Sequence, residues 1–184
     1  QNFLIQENVI SGIVAKTGIK KTDTVLEIGG GTGFLTRELA KHAKKVVVVE
    51  TDHRLFGLLQ DEFKDCVNVE LVYADFLHAL LPPFNKVVCA PPYHISTNLM
   101  YRLFELGFED AYLVMQKEFV ERLTAEPGFF DYNALSVITQ YYCKTDVVLK
   151  VSPGAFFPRP SGESALIHLK FKKRFGQALH DELF

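Results

Sequence analysis

The sequence predicts an α/β fold, a mostly parallel sheet with helices on both faces, and three observations predict it. A short apolar run, Thr24 to Ile28, leads into the glycine cluster Gly29 to Gly33 and then into a helically spaced segment, Phe34 to Ala43. Apolar strand-like runs and helix-like segments then alternate down the chain, in the manner of parallel strands joined by crossover helices. Polar or conformationally special residues stand at the ends of those runs, namely Glu50, Asp75 and Ala90-Pro91-Pro92-Tyr93. Open α/β sheets gather their ligands at these strand exits.

Taken in order, Gln1-Asn2-Phe3-Leu4 opens the chain, and Ile5, Val9, Ile10, Ile13 and Val14 mark one face of a helix ending near Gly18. Val25, Leu26 and Ile28 suit a buried parallel strand. Gly29, Gly31 and Gly33 permit a tight turn whose backbone can approach a ligand. A helix opening at Phe34 points its unpaired N–H groups at whatever lies over that turn and sends Leu35 and Leu39 inward. Lys45 to Glu50 is the second strand. Glu50 falls about 20 residues past the first glycine, where a carboxylate can accept both hydroxyls of a ribose. His53 to Phe63, with Leu55, Leu58, Leu59 and Phe63, is the next helix, and Val67 to Tyr73 is a third strand with Asp75 at its exit. Pro82-Pro83 breaks the chain before Val87, Val88 and Cys89, a short fourth strand. A helix from Thr97 to Leu106, a strand from Ala111 to Met115 and a helix from Lys117 to Thr124 follow. Asn133 to Tyr142 is compatible with a further helix. Thr145 to Val151 and Ala165 to Phe171 read as two final strands, making seven, joined by the loop Ser152 to Glu163.

At 184 residues the chain suits one domain, and its 48% hydrophobic and 23% charged residues are an ordinary soluble balance. No run approaches the roughly 18 apolar residues of a membrane span and no basic-then-apolar leader opens the chain, so a cytoplasmic protein without a membrane partner is expected. Cys66, Cys89 and Cys143 lie far apart and the six histidines are scattered, which suggests neither a disulfide framework nor a metal site. A net charge of −2 does not advertise a nucleic-acid partner, although a local patch can bind phosphates within an acidic total.

The chemistry centres on Ala90-Pro91-Pro92-Tyr93. Two prolines at a strand end fix φ and remove N–H donors, leaving carbonyl oxygens to face a pocket. Such acceptors suit an amino group. The exocyclic amine of a nucleobase is a weak nucleophile because its lone pair is delocalised into the ring, and acceptors holding its two hydrogens turn that lone pair towards a donor carbon. Pro91 can supply one such carbonyl, and Tyr93 can stack on the base. A purely structural strand exit is the plain alternative, against which the glycine cluster, Glu50 and Asp75 weigh. Phe156 and Phe157 suit core packing or base stacking equally, in a segment made rigid by Pro158 and Pro160.

Together these stretches resemble the catalytic domain of the ribosomal RNA adenine dimethyltransferase family. Gln1-Asn2-Phe3-Leu4 is similar to that family's opening signature, Glu27 to Thr36 to its cofactor loop, and Glu50-Thr51-Asp52 to its ribose site. Ala74-Asp75-Phe76-Leu77 is similar to the segment contacting the adenine ring, Pro92-Tyr93-His94-Ile95-Ser96 to the catalytic turn, and Phe157-Pro158-Arg159-Pro160 with Ser164-Ala165 to the late loop. The resemblance covers nearly the whole chain. It implies a Rossmann-like, class I methyltransferase that moves methyl groups from S-adenosyl-L-methionine to N6 of adjacent adenines in small-subunit rRNA. It further implies a monomer acting on a preassembled ribosomal particle during ribosome biogenesis. By the same resemblance Asn2, Leu4, Gly29, Gly31, Glu50, Asp75 and Ala90 hold the cofactor, and Ala90, Pro91 and Tyr93 form the catalytic position. Tyr93, Phe157 and Pro158 meet the substrate, and no metal takes part. His94 reads as a solvent-facing turn residue, since the amine can lose its proton to water after transfer. Residues 1–174 make up the methyltransferase domain and 175–184 read as the start of a further helical domain.

Two departures qualify the resemblance. Ala90 stands where the family's turn usually begins with Asn, which removes a side-chain acceptor for the amine and supports cofactor binding better than catalysis. A catalytically quiet RNA-binding assembly factor and a methyltransferase for another amine substrate therefore stay open. Gly30 replaces a more common Pro, which is expected to be mild because glycine also fits the turn.

Overall fold

The computed structural model describes residues 2–172. The chain runs through β1 (Phe3–Leu4), α1 (Glu7–Thr17), β2 (Thr24–Ile28), α2 (Phe34–His42), β3 (Lys45–Glu50), α3 (His53–Phe63), β4 (Val69–Tyr73), β5 (Lys86–Cys89), α4 (Ser96–Leu106), β6 (Asp110–Gln116), α5 (Lys117–Thr124), α6 (Ala134–Tyr142), β7 (Cys143–Val151), β8 (Phe156–Phe157) and β9 (Ser164–Phe171). The proposed start of a further helix at Phe175, and the basic residues Lys173 and Arg174, lie outside the described residues.

Seven strands form one sheet in the order β4-β3-β2-β5-β6-β9-β7. β4 to β6 are parallel, β9 runs antiparallel to β6, and β7 runs antiparallel to β9. Strand alternation divides the core into two layers. Leu26, Ile28, Val47, Val49, Val87 and Cys89 pack on one face with α4, α5 and α6, while Val25, Val46, Val48 and Val88 pack on the other with α1, α2 and α3. The order of connection reverses between β2 and β5, so the glycine turn after β2 and the proline turn after β5 leave the sheet side by side.

The anticipated seven strands and the helices between them are present, with a few differences. Ile5 precedes α1 instead of lining it, and its N–H donates to the Ala155 carbonyl at 2.9 Å. Val67 lies ahead of β4 and is exposed, and Leu58 faces solvent beside the buried Leu59. The late loop contains a strand that its proline-rich sequence concealed. β8 pairs antiparallel with β1, Phe3 opposite Phe157 and Leu4 opposite Phe156. Two-residue strands carry too little periodicity to be read from sequence. Their alternation separates the two phenylalanines, for Phe156 packs in the core at 4% exposure and Phe157 faces outward at 67%. The three cysteines are free, and no group of possible metal ligands forms among the described residues. No described helix is long and apolar enough to cross a membrane.

Gly30 is less permissive than expected. A Cβ there would fall inside contact distance of Val48 Cγ1 on β3 and 2.9 Å from Leu59 Cδ1 on α3. Both are core side chains with little room to move. Gly30→Ala is therefore expected to destabilise the fold by about 1–3 kcal/mol, the usual cost of overpacking, read as a lower urea midpoint with an unchanged slope. An unchanged midpoint would mean that the loop relaxes freely.

Candidate cofactor and acceptor site

The glycine turn is shaped by the segment that crosses it. Gly31 has φ +55°, and a Cβ there would come within 2.8 Å of the Phe3 ring. β1 thus lies against the turn and leaves it no room for a side chain. Gly33 precedes α2 without any side-chain cap, which leaves first-turn amides of that helix for a ligand or water.

Glu50 ends β3 at 3% exposure. Its Oε2 accepts a hydrogen bond from the Gly31 amide at 3.0 Å, and its Oε1 accepts from the Thr51 and Asp52 amides at 2.9 Å each. Asp52 continues the arrangement by capping α3 through the Arg54 and Leu55 amides. Asp75 is exposed, and its Oδ1 accepts from the Leu77 amide at 3.0 Å. Asp75 thus turns the chain as a local cap while also bordering, with Glu50 and Gly29, a cavity of about 410 Å³.

A second recess shares Gly29 with this cavity and lies where Asn2, Leu4, Glu27, Gly31 and Ala90 meet. Glu27 belongs to β2, is 1% exposed, and accepts a hydrogen bond from Thr36 Oγ1 on α2 at 2.7 Å. Burial, opposed by the Thr36 hydroxyl and reinforced by the neighbouring Glu50, pushes its carboxyl up to about 8. Glu27 was not singled out from the sequence as a site residue. The available signal was a lone carboxylate inside an otherwise apolar strand run, Thr-Val-Leu-Glu-Ile.

The acceptor side follows β5. Pro91, Pro92, Tyr93 and His94 line a third recess together with Asn2. Pro92 and His94 also border the 410 Å³ cavity, so these two recesses share a wall. Tyr93 opens a single 3₁₀ turn, Tyr93–Ile95, its carbonyl accepting from Ser96 Oγ at 2.8 Å and its hydroxyl lying 2.8 Å from Ser164 Oγ. Burial raises the phenol above its ordinary value, partly opposed by the Ser164 hydrogen bond, so Tyr93 is a neutral ring near pH 7. His94 is exposed. Ala90 brings only a methyl group to the inner recess. Phe157 and Pro158 line none of these three recesses; Phe157 sits on β8 opposite Phe3, and Pro158 follows it through a cis peptide.

A profile of the ribosomal RNA adenine dimethylase family matches residues 1–181. The chain is 41% identical over 173 residues to the probable ribosomal RNA small subunit methyltransferase A of Pyrococcus abyssi, an alignment covering 94% of this chain and 64% of that protein. It is 41% identical over 180 residues to the ribosomal RNA small subunit methyltransferase A of Clostridium botulinum, with 92% and 64% covered. The chain thus spans somewhat less than two thirds of these relatives. Among solved structures it resembles a dimethyladenosine transferase from Plasmodium falciparum at TM-score 0.86 and 32% identity, covering 93% of this chain and 64% of that one. It also resembles the 23S rRNA methyltransferase ErmE at TM-score 0.84 and 33% identity, covering 98% and 75%.

The family's cofactor, S-adenosyl-L-methionine, fits the residues present. A turn that excludes Cβ atoms, uncapped helix amides, a buried carboxylate at the β3 exit and a second carboxylate at the β4 exit match its carboxylate, ribose and base.

The raised Glu27 carboxyl has a consequence for stability. Between its ordinary value of 4.5 and about 8 the folded chain keeps a proton that the unfolded chain has released, so this group costs stability as pH rises through that window. Glu27→Gln keeps an oxygen for Thr36 and removes the titration. It is expected to raise Tm relative to the parent above pH 8, with the gain shrinking towards pH 5, in thermal unfolding across that range. A Tm difference independent of pH would show that Glu27 carries no such proton.

Proposed function

The chain belongs to the ribosomal RNA adenine dimethylase family, and we propose that it transfers methyl groups from S-adenosyl-L-methionine to N6 of adenine in small-subunit ribosomal RNA. The observation that carries this reading is the wall shared by the cofactor-sized cavity and the Pro-Pro-Tyr recess, which sets a donor and an acceptor side by side where the sheet order reverses. The names of the relatives from Pyrococcus abyssi and Clostridium botulinum favour the small subunit.

When bound, the cofactor supplies an electrophilic methyl group on a sulfonium centre. The chain's residues do the positioning. Glu50 has lone pairs left that would take the ribose hydroxyls after its three amides, and Asp75 at the β4 exit would take the adenine amine. Glu27 and the α2 amides would receive the methionine end, with Asn2 and Leu4 closing the recess. On the acceptor side the Pro91 carbonyl accepts one hydrogen of the target amine and Tyr93 stacks on its ring. That arrangement would turn the nitrogen lone pair towards the cofactor cavity, where the bound cofactor would supply the methyl group, and the amine proton would pass to water. Ala90 offers no second acceptor, so the amine is oriented by one hydrogen bond where the family usually provides two. Phe157 and Pro158 lie close enough to the rim to meet a flanking base. With a net charge of −2 the chain has little general attraction for naked RNA, and a preassembled cytoplasmic ribosomal particle is its target.

Glu50 also organises the backbone, and Glu50→Gln removes its charge while keeping a carbonyl acceptor for the Thr51 and Asp52 amides, at the cost of the bond from the Gly31 amide. This variant is expected to weaken cofactor binding about 10-fold or more in calorimetry, the worth of hydrogen bonds to a charged acceptor. Unchanged affinity would remove Glu50 from the ribose site.

Ala90→Asn supplies the missing acceptor. In the full-length protein with immature small subunits it is expected to raise methyl transfer about 100-fold or more, the scale of one preorganised polar contact, with little change in cofactor affinity. A variant that binds cofactor and particle normally yet transfers no faster would favour the quiet assembly factor. Transfer confined to large-subunit RNA would move the substrate towards that of ErmE.

A further inference from the structure

We propose that Ser164 is a positioning residue for the acceptor turn, holding the Tyr93 ring at the angle from which it receives the target base. This rests on the functional reading above. Tyr93 sits on a turn that follows β5, and a turn alone gives its ring no fixed direction. The structure ties it at both ends. Near the backbone, Ser96 Oγ donates to the Tyr93 carbonyl; at the far end of the ring, the phenol oxygen lies 2.8 Å from Ser164 Oγ.

Ser164 is well placed to act as an anchor. It opens β9 at 1% exposure, opposite Gln116 of β6 on one side and Val151 of β7 on the other, so its backbone is gripped from both neighbouring strands. Tyr93 is its side-chain hydrogen-bond partner among the described residues. The contact spans 71 positions in sequence and joins the parallel half of the sheet, which carries the cofactor turn, to its antiparallel edge. Losing it would leave a half-buried phenol without its partner and a ring free to choose between side-chain rotamers. The ring itself would remain, so base binding would persist while its angle relative to the donor carbon became a distribution. Rate, more than affinity, depends on that angle.

Two readouts test this, one independent of RNA. In NMR of the chain with selectively labelled tyrosine, assigned by loss of a signal in Tyr93→Phe, the parent is expected to show one χ1 rotamer for Tyr93 and Ser164→Ala to show rotamer averaging. In the full-length protein with immature small subunits, Ser164→Ala is expected to lower single-turnover transfer about 10-fold with cofactor Kd unchanged, the scale of one lost buried hydrogen bond. Tyr93→Phe, which leaves β9 untouched, is expected to lose a similar amount, and the double variant no more than either single, as for two halves of one interaction. A single retained rotamer in Ser164→Ala, or transfer at the parental rate, overturns the proposal, as does full additivity of the two substitutions. If no variant transfers methyl groups, Ala90→Asn included, the functional reading has failed. The rotamer measurement alone then decides whether Ser164 holds Tyr93.

Discussion

The Glu50 carboxylate is the constraint on which the site depends. Three amides, from Gly31, Thr51 and Asp52, converge on its two oxygens. One belongs to the turn after β2 and the other two to the turn after β3, so a single buried charge fixes the spacing of two neighbouring strand exits. A carboxylate withdrawn from water is costly unless it is hydrogen-bonded, and here the backbone meets that cost. The same bonds leave the carboxylate in one orientation before any ligand arrives. A ribose would therefore meet a preorganised acceptor and would lose little to side-chain ordering.

Much of this was legible in the sequence because it follows from periodicity and backbone chemistry. The β-branched runs at Val46 to Val49 and Val87 to Val88 read as buried strands, and the glycine cluster between an apolar run and a helical segment read as a turn open to a ligand. Asn133 marked the start of α6, where its side chain caps the Leu135 and Ser136 amides. What stayed hidden depends on contacts between distant segments. The pairing of β1 with β8 involves two residues on each side and leaves no pattern in either. The protonation of Glu27 depends on how completely the sheet and α2 enclose it, and a lone glutamate in a strand says only that something unusual is there.

The pairing of β1 with β8 also changes how the candidate residues relate to one another. In sequence, Asn2 and Leu4 stand at one end of the chain and Phe157 and Pro158 near the other. In the fold a two-stranded ladder, Phe3–Leu4 against Phe156–Phe157, brings them together, with Phe3 against the glycine turn on one side and opposite Phe157 on the other. The segment that closes the inner recess is therefore continuous with the rim that carries the exposed Phe157. Ile5 strengthens the connection through its bond to Ala155. Ala90 lies beneath this strap, in contact with the core face formed by α1, α2 and α3.

Gly30 shows how tightly the turn is built into the rest of the domain. The space that its side chain would occupy is already filled by Val48 from β3 and Leu59 from α3. These three positions share one volume, and a larger residue at any of them is admissible only with a smaller one at another. Substitutions there are coupled, so they are expected to change together through a lineage and to give strongly non-additive effects when exchanged singly. A proline at this position would need its room made at 48 or 59. Transplanting the loop alone between relatives would import the ring without the space that receives it.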